Sequence, residues 1–320
     1  MDDVRSYSPT VSIIMPAYNA RETIGGSIEC VQRQTYTDWE LIIVNDASVD
    51  DTAMVATRYL ADARIRLINC TDNTGMSAAR NLAVRNARGR YIAFLDADDL
   101  WTESKLQRQV GYHSKHPECS ISHTGFIEFS DRTRKRRPWR QLVVPARRKK
   151  GYLLPLLYTS NVVATLTVVM LRDLFLEAKG FDTSLYAAED LDLWIRLSKK
   201  GYEFGYIDEV LARYRVVSSG VSKNTSKYRR SFRDFVRRKI VDDPEIDEEI
   251  KRKSLATYYL IFGRLYHKRG EYRLAIKYYT ASLCHHYISI TNLVATIVFL
   301  AQSELRLFLH RLGNAMRGRR

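Results

Sequence analysis

Four short apolar runs alternate with three segments of helical periodicity in the first hundred residues. That alternation narrows the fold more than any other feature of the chain. The runs are 11–15, 41–44, 65–68 and 91–95, and between them 21–34, 48–61 and 75–88 carry apolar residues at helical spacing. Strand–helix units of this length form crossovers that lay strands parallel and cover the sheet on both faces. Ser48-Val49-Asp50-Asp51 has the form of a capping box opening the second helix, and Gly89 stands where the third should end. Further strands are expected within 121–129 and 162–171, and another helix at 190–199.

The fourth run closes on acid: Tyr91-Ile92-Ala93-Phe94-Leu95 is followed by Asp96-Ala97-Asp98-Asp99. Carboxylates crowded at a strand terminus repel one another unless a cation lies between them. The carboxyl edge of an open parallel sheet is also where ligands bind. The pattern points to an anionic ligand bridged by a metal; the plainer reading is that the aspartates cap the next helix. The first strand runs into Pro16-Ala17-Tyr18-Asn19 with no G-x-G-x-x-G, and no P-loop occurs anywhere in the chain. Phosphates would then be held by a metal on Asp96 and Asp98. Asp46, ending the second strand, either accepts a hydrogen bond from a heterocyclic N–H or caps the helix behind it. The segment from Asn73 through Gly75 sets a glycine loop before a helix whose Arg80 could meet a diphosphate.

Together these segments resemble the GT-A fold glycosyltransferases of the large inverting family 2. The resemblance rests on 11–19, 45–52, 73–81, 91–101 and Glu189-Asp190-Leu191-Asp192-Leu193-Trp194-Ile195-Arg196-Leu197, in the family's order and spanning about two thirds of the chain. It implies a Rossmann-like, mostly parallel sheet with helices on both faces. It further implies that Pro16, Tyr18, Asn19 and Asp46 hold the nucleotide of a sugar donor, with Asn73, Gly75 and Arg80 beside them. Asp96 would bind ribose, and Asp98 with Asp96 a Mn²⁺ or Mg²⁺ ion on the diphosphate. Asp190 would be the catalytic base, with Glu189 as the fallback. A base within reach of an acceptor hydroxyl is a sound requirement for this chemistry, and a neighbouring Glu189 charge should raise its pKa. Asp190 and Asp192 would otherwise be solvated residues of a helix's first turn.

Composition decides what lies beyond. Net charge is +15 over 320 residues, which suits polyanions without choosing among them. Residues 132–150 hold ten Lys or Arg and no acid, and from Lys223 onward 21 basic residues face 9 acidic ones, a surplus of 21 − 9 = +12. The run at 132–150 reads as an acceptor loop, a membrane-facing patch or a solvated loop. With Trp139 as its one aromatic it gives no nucleic-acid surface. His113, His116, Cys119 and His123 imitate zinc spacing, but Pro117 interrupts them and no zinc site is expected. Four scattered cysteines predict reduced thiols, and the amino terminus has no signal-peptide character.

The chain thus divides into a catalytic domain at 1–220 and a helical extension at 221–320. The extension contains a tetratricopeptide-like hairpin at about 253–286 and an amphipathic tail at about 287–312, which either lies in a membrane interface or packs on the protein. The sequence therefore predicts a metal-assisted inverting glycosyltransferase, cytoplasmic and peripheral on the inner face of the cell membrane. It would take a UDP-linked sugar to a glycan or lipid-linked glycan acceptor in surface-polysaccharide assembly. A polyprenyl-phosphate glycosyltransferase is the alternative within the fold, and a non-catalytic adaptor the alternative outside it.

Overall fold

The computed structural model describes residues 9–130, 133–137, 150–216, 225–285 and 297–308. Most of the basic run at 132–150, including Trp139, and the tail at 286–296 and 309–320 lie outside the described residues. The chain forms two compact units, Met1–Leu154 with Val162–Phe235, and Pro155–Asn161 with Val236–Arg320.

The first unit is built on a nine-stranded mixed sheet. β1 (Val11–Ala17) and β2 (Trp39–Asn45) are buried at every residue, which is why their sequences are apolar throughout rather than alternating. β3 (Ile65–Asn69) pairs parallel with β2, and β4 (Tyr91–Phe94) parallel with β1 on its other side. Beyond β4 the sheet turns mixed. β8 (Val169–Leu171) runs antiparallel to β4 and to β6 (Ile121–Ser130), which lies parallel to β9 (Phe204–Arg215). The short β5 (Leu100–Trp101) joins β9, and β7 (Thr133–Arg137) pairs with β6 off the main path. The helices between the parallel strands are α1 (Ile24–Gln32), α2 (Thr52–Thr57) and α3 (Met76–Arg85), followed by α4 (Lys105–Lys115). After α5 (Leu154–Leu157) and α6 (Arg172–Glu177) comes α7 (Glu189–Lys199), the helix expected at 190–199. α8 (Thr225–Val236) follows β9.

Two local expectations need correction. The capping box at Ser48 does not form. α2 begins at Thr52, whose N–H is held at 3.0 Å by Asp50 Oδ1, while Ser48 Oγ accepts the Asn19 N–H at 3.0 Å. Nor does Gly89 end α3, which stops at Arg85 with Asn86 as its cap. Gly89 is required because β1 passes so close that a Cβ there would lie 2.6 Å from the Ser12 backbone nitrogen. Its N–H donates to Ser12 Oγ at 2.8 Å, Ser12 donates to Glu40 at 2.6 Å, and Arg66 pairs with Glu40 at 2.9 Å. This buried polar chain pins the amino edge of the parallel strands. Of the stretch 162–171, only Val169–Leu171 is strand; Thr165–Thr167 is a 3₁₀ turn.

The second unit is helical. α9 (Glu248–Lys268) and α10 (Tyr272–Cys284) form a hairpin turning at Gly270, whose φ of 76° favours glycine. They pack closely enough that a Cβ on Gly263 would sit 2.4 Å from the Tyr279 ring. Tyr266 stacks on Tyr278 with centroids 5.2 Å apart. Residues 297–308 are helical; Ser303 is buried and bonds His267 at 2.6 Å, whereas Ile297, Leu305 and Phe308 are exposed.

Candidate active site

Because β1, β2 and β4 are parallel, their carboxyl ends share one edge of the sheet. From β1 the strand order runs to β2 and β3 on one side and to β4 on the other, so the order reverses there and opens a crevice. Pro16 helps to open it. The last β1–β4 bond runs from the Leu95 N–H to the Ile14 carbonyl at 3.0 Å, and the next parallel rung would need the N–H that Pro16 lacks, so pairing stops there. The chain after β4 is then free to diverge with Asp96 and Asp98.

Three loops line this edge. Tyr18 is exposed beyond β1, and Asn19 takes a left-handed φ of 50°. Asn19 Oδ1 accepts the Val49 N–H at 3.0 Å, locking the first loop to the second. Asp46 is buried. Its Oδ1 accepts the Thr74 N–H and hydroxyl at 2.9 and 3.0 Å, its Oδ2 accepts the Gly75 N–H at 2.8 Å, and its carbonyl accepts from Asn73 at 3.0 Å. Asp46, Asn73 and Gly75 thus come together, with the aspartate clamping the loop that opens α3 rather than capping α2.

Arg80 is not where sequence alone would put a diphosphate ligand. Its side chain is 2% exposed, and Nη2 donates to both oxygens of Asp96 at 2.7 and 2.9 Å. Nη1 donates to Glu189 at 3.1 Å, and the guanidinium lies over the Phe181 ring at 5.4 Å. Arg80 is therefore the internal strut between the acidic end of β4 and the first turn of α7. Burial works against its charge, but Asp96 and then Glu189 overrule it and raise its pKa.

The carboxylates around it are unequal. Burial, and then Asp96, push Asp98 up to about 6. Asp99 is driven well above the usual range, first by burial and then by Asp98. Its Oδ1 accepts the Arg215 N–H at 2.7 Å, while Oδ2 is buried with no hydrogen-bonding partner. Arg215 Nε also donates to the Asp98 carbonyl at 2.6 Å. Tyr214 is raised by burial and then by Asp99. Glu189 is pushed up to about 7, first by burial and then by Asp190, against the pull of Arg80. Asp190 is half-buried; Oδ1 accepts the Leu191 N–H at 2.7 Å and Oδ2 the Thr165 hydroxyl at 3.2 Å. Asp192 is buried and paired with Arg196 at 2.8 Å, a structural contact rather than a solvated one.

Asp96 and Asp98 have the chemistry of a hard-cation site: oxygen donors, partly desolvated and mutually repelling. Among the described residues no set of three or more His, Cys, Asp or Glu converges on a metal position. Any cation here would rest on this pair and on its ligand. The histidine segment is packing: His113 bonds the Cys119 carbonyl and Ser122, each at 2.9 Å, and stacks on Tyr91.

Thr165, Arg215 and Asp99 were not legible as site residues. Thr165 and Arg215 lie far in sequence from the groups they touch, and Asp99 looks like one more member of the acidic run.

Residues 12–175 match the family described as Glycosyl transferase family 2. A Bacillus subtilis glycosyltransferase named for teichuronic acid biosynthesis, TuaG, is 32% identical over 224 residues, covering 69% of this chain and 85% of that one. The Escherichia coli UDP-Glc:alpha-D-GlcNAc-diphosphoundecaprenol beta-1,3-glucosyltransferase WfgD is 33% identical over 221 residues, 68% of this chain and 81% of that one. Among solved structures, the Pyrobaculum calidifontis mannosyltransferase PcManGT, in complex with GDP-Man and Mn²⁺, aligns with a TM-score of 0.64 at 19% identity. It covers 95% of this chain and 86% of that one. S. aureus TarS 1-349 in complex with UDP-GlcNAc aligns at 0.63 with 16% identity, covering 95% and 92%. These neighbours share the GT-A fold. On the family match and the extent of its relatives, the chain is a glycosyltransferase and belongs to glycosyl transferase family 2.

Proposed function

We propose that this enzyme moves a sugar from a UDP-linked donor to an acceptor hydroxyl on a glycan or lipid-linked glycan, in bacterial surface-polysaccharide biosynthesis, with inversion at the anomeric carbon. The observation that carries the reading is the Arg80 bridge. It holds Asp96, at the donor edge of the sheet, and Glu189, beside Asp190, in one buried network. Donor-binding and base-bearing groups thereby have a fixed separation.

In this reading Tyr18, Asn19 and the loop clamped by Asp46 receive the nucleotide. Asp98 with Asp96 would hold a divalent cation. When bound, such an ion neutralises charge growing on the departing diphosphate, an effect worth several kcal/mol. Asp190 takes the proton of the acceptor hydroxyl while the Thr165 hydroxyl and the Leu191 N–H hold its carboxylate. One base and one displacement invert the anomeric centre. The lipid-linked acceptor is supported by the acceptor named for WfgD. No helix among the described residues is long and apolar enough to cross a membrane. A peripheral position is supported instead by the exposed Ile297, Leu305 and Phe308 and by the +15 charge.

The test is a thermal-shift series with UDP-, GDP- and dTDP-sugars, with and without Mn²⁺. A UDP-sugar should raise the midpoint only when the metal is present, and Asp98→Asn should lose that increment. A shift of equal size without metal would remove Asp98 from the donor site.

A further inference from the structure

α7 starts on a strained residue. Its N-cap, Ala188, sits in the left-handed region at φ 64°, and no side chain caps the helix. A β-carbon residue in that region is strained and must be held by its surroundings. The turn before it, Tyr186-Ala187-Ala188, nevertheless determines where Glu189 and Asp190 point.

The holding comes from α8, beyond the residues matched by the family. Ser231 Oγ accepts the backbone N–H of Tyr186 at 2.8 Å and that of Ala187 at 3.1 Å. A single oxygen thus satisfies two consecutive amides immediately before the strained residue. One turn earlier on the same helix face, Lys227 Nζ lies 4.0 Å from the centre of the Tyr186 ring. Tyr228, three residues before Ser231, lies in the field of Asp190 and Glu189. Burial and then those charges raise its phenol to about 12, so it remains a neutral O–H at physiological pH.

We propose that Ser231 is a positioning residue for sugar transfer, fixing the turn that aims Asp190 by chelating the Tyr186 and Ala187 amides from α8. The proposal rests on the reading of Asp190 as base. Ser231 touches neither donor nor acceptor in this scheme; it acts only through the turn. Losing its hydroxyl leaves two amides without their acceptor and lets Ala188 relax toward an ordinary φ. That relaxation would swing the first turn of α7, and misplacement of a base by about 1 Å can cost on the order of 10²-fold in rate.

Two measurements on the full chain test it, comparing wild type, Ser231→Ala, Ser231→Thr and Asp190→Asn. The first is hydrogen exchange at the Tyr186 and Ala187 amides. The second is hydrolytic UDP release from UDP-glucose and UDP-GlcNAc with Mn²⁺, water standing in for the acceptor hydroxyl as the nucleophile that Asp190 deprotonates. Ser231→Ala should speed exchange at those two amides at least tenfold while the β1–β4 core keeps wild-type protection. It should lower kcat at least tenfold with the donor KM within twofold, and Ser231→Thr should restore both. Unchanged exchange at the two amides, or a kcat within twofold of wild type, would overturn the proposal. If Asp190→Asn releases UDP at the wild-type rate, the base reading fails and takes the catalytic half of the proposal with it. The exchange result still decides whether Ser231 holds the turn, so the two failures are distinguishable.

Discussion

Replacing Glu189 with glutamine should make the ligand-free protein more stable at neutral and alkaline pH, although it removes one end of a buried ion pair. Glu189 is 7% exposed and keeps its proton to about pH 7 instead of the usual 4.5. Each tenfold change in proton affinity is worth about 1.4 kcal/mol, so the difference between 4.5 and about 7 is roughly 3 kcal/mol against the ionised fold. The sign follows from proton counting. Between those pH values the folded state holds a proton that the unfolded state has lost, so stability falls as pH rises through the window and is level above it. The substituted glutamine would carry no charge and could still accept from Arg80 Nη1, as Glu189 does at 3.1 Å. The gain should therefore approach a ceiling of about 3 kcal/mol above pH 7 and vanish below about 4.5. For a unit of this size that is an increase of roughly 6–12 °C in melting temperature. Thermal melts from pH 4 to 8 in EDTA measure it. If Glu189→Gln melts below wild type at pH 8, the Arg80–Glu189 attraction outweighs the cost of burial and the reasoning fails. An advantage independent of pH would refute it equally.

Other perturbations probe different parts of the molecule. Asp190→Asn should lower kcat by about 10²–10⁴-fold and leave UDP affinity, measured by calorimetry, unchanged. Gly89→Ala forces a methyl to within 2.6 Å of the Ser12 nitrogen and 2.9 Å of the Val11 carbonyl carbon. Both are backbone atoms of a buried strand, so urea denaturation should report a loss of at least about 1–3 kcal/mol. In the tail, Leu305→Glu with Phe308→Glu should weaken sedimentation with phosphatidylglycerol vesicles by roughly tenfold or more. Raised salt should weaken the wild type further, and an unaffected double variant would exclude this helix from the membrane.

Much of the first unit was legible because its parallel strands are covered on both faces. Burial at every position of β1 and β2 demands apolar residues throughout, and such runs stand out between amphipathic helices. The mixed half was less visible. β9 alternates between buried and exposed stretches over twelve residues, and β5 is only two residues long, so neither carries a strong period. Within the site, residue types were readable but partners were not. Asp46 and Arg80 stand in the expected loop and helix, yet the first spends its oxygens on Thr74 and Gly75 and the second bridges two carboxylates. Such contacts join residues from 16 to 109 positions apart, and no local pattern encodes them.

The distribution of charge gives the site its direction. Five carboxyl groups, Asp96, Asp98, Asp99, Glu189 and Asp190, occupy the region, and among the described residues Arg80 pairs with Asp96 and Glu189. Arg215 offers Asp99 its backbone N–H, while its guanidinium reaches the Asp98 carbonyl. Among the described residues no ion pair reaches Asp98, and burial together with Asp96 makes its charge costly. Protonation at low pH would relieve that strain, and so would a divalent cation at neutral pH. In the proposed reading, the second remedy would also give a diphosphate something to grip. Arg80 thus neutralises Asp96 and leaves Asp98 without an ion pair among the described residues, which in the proposed reading is where a metal-bound donor would enter.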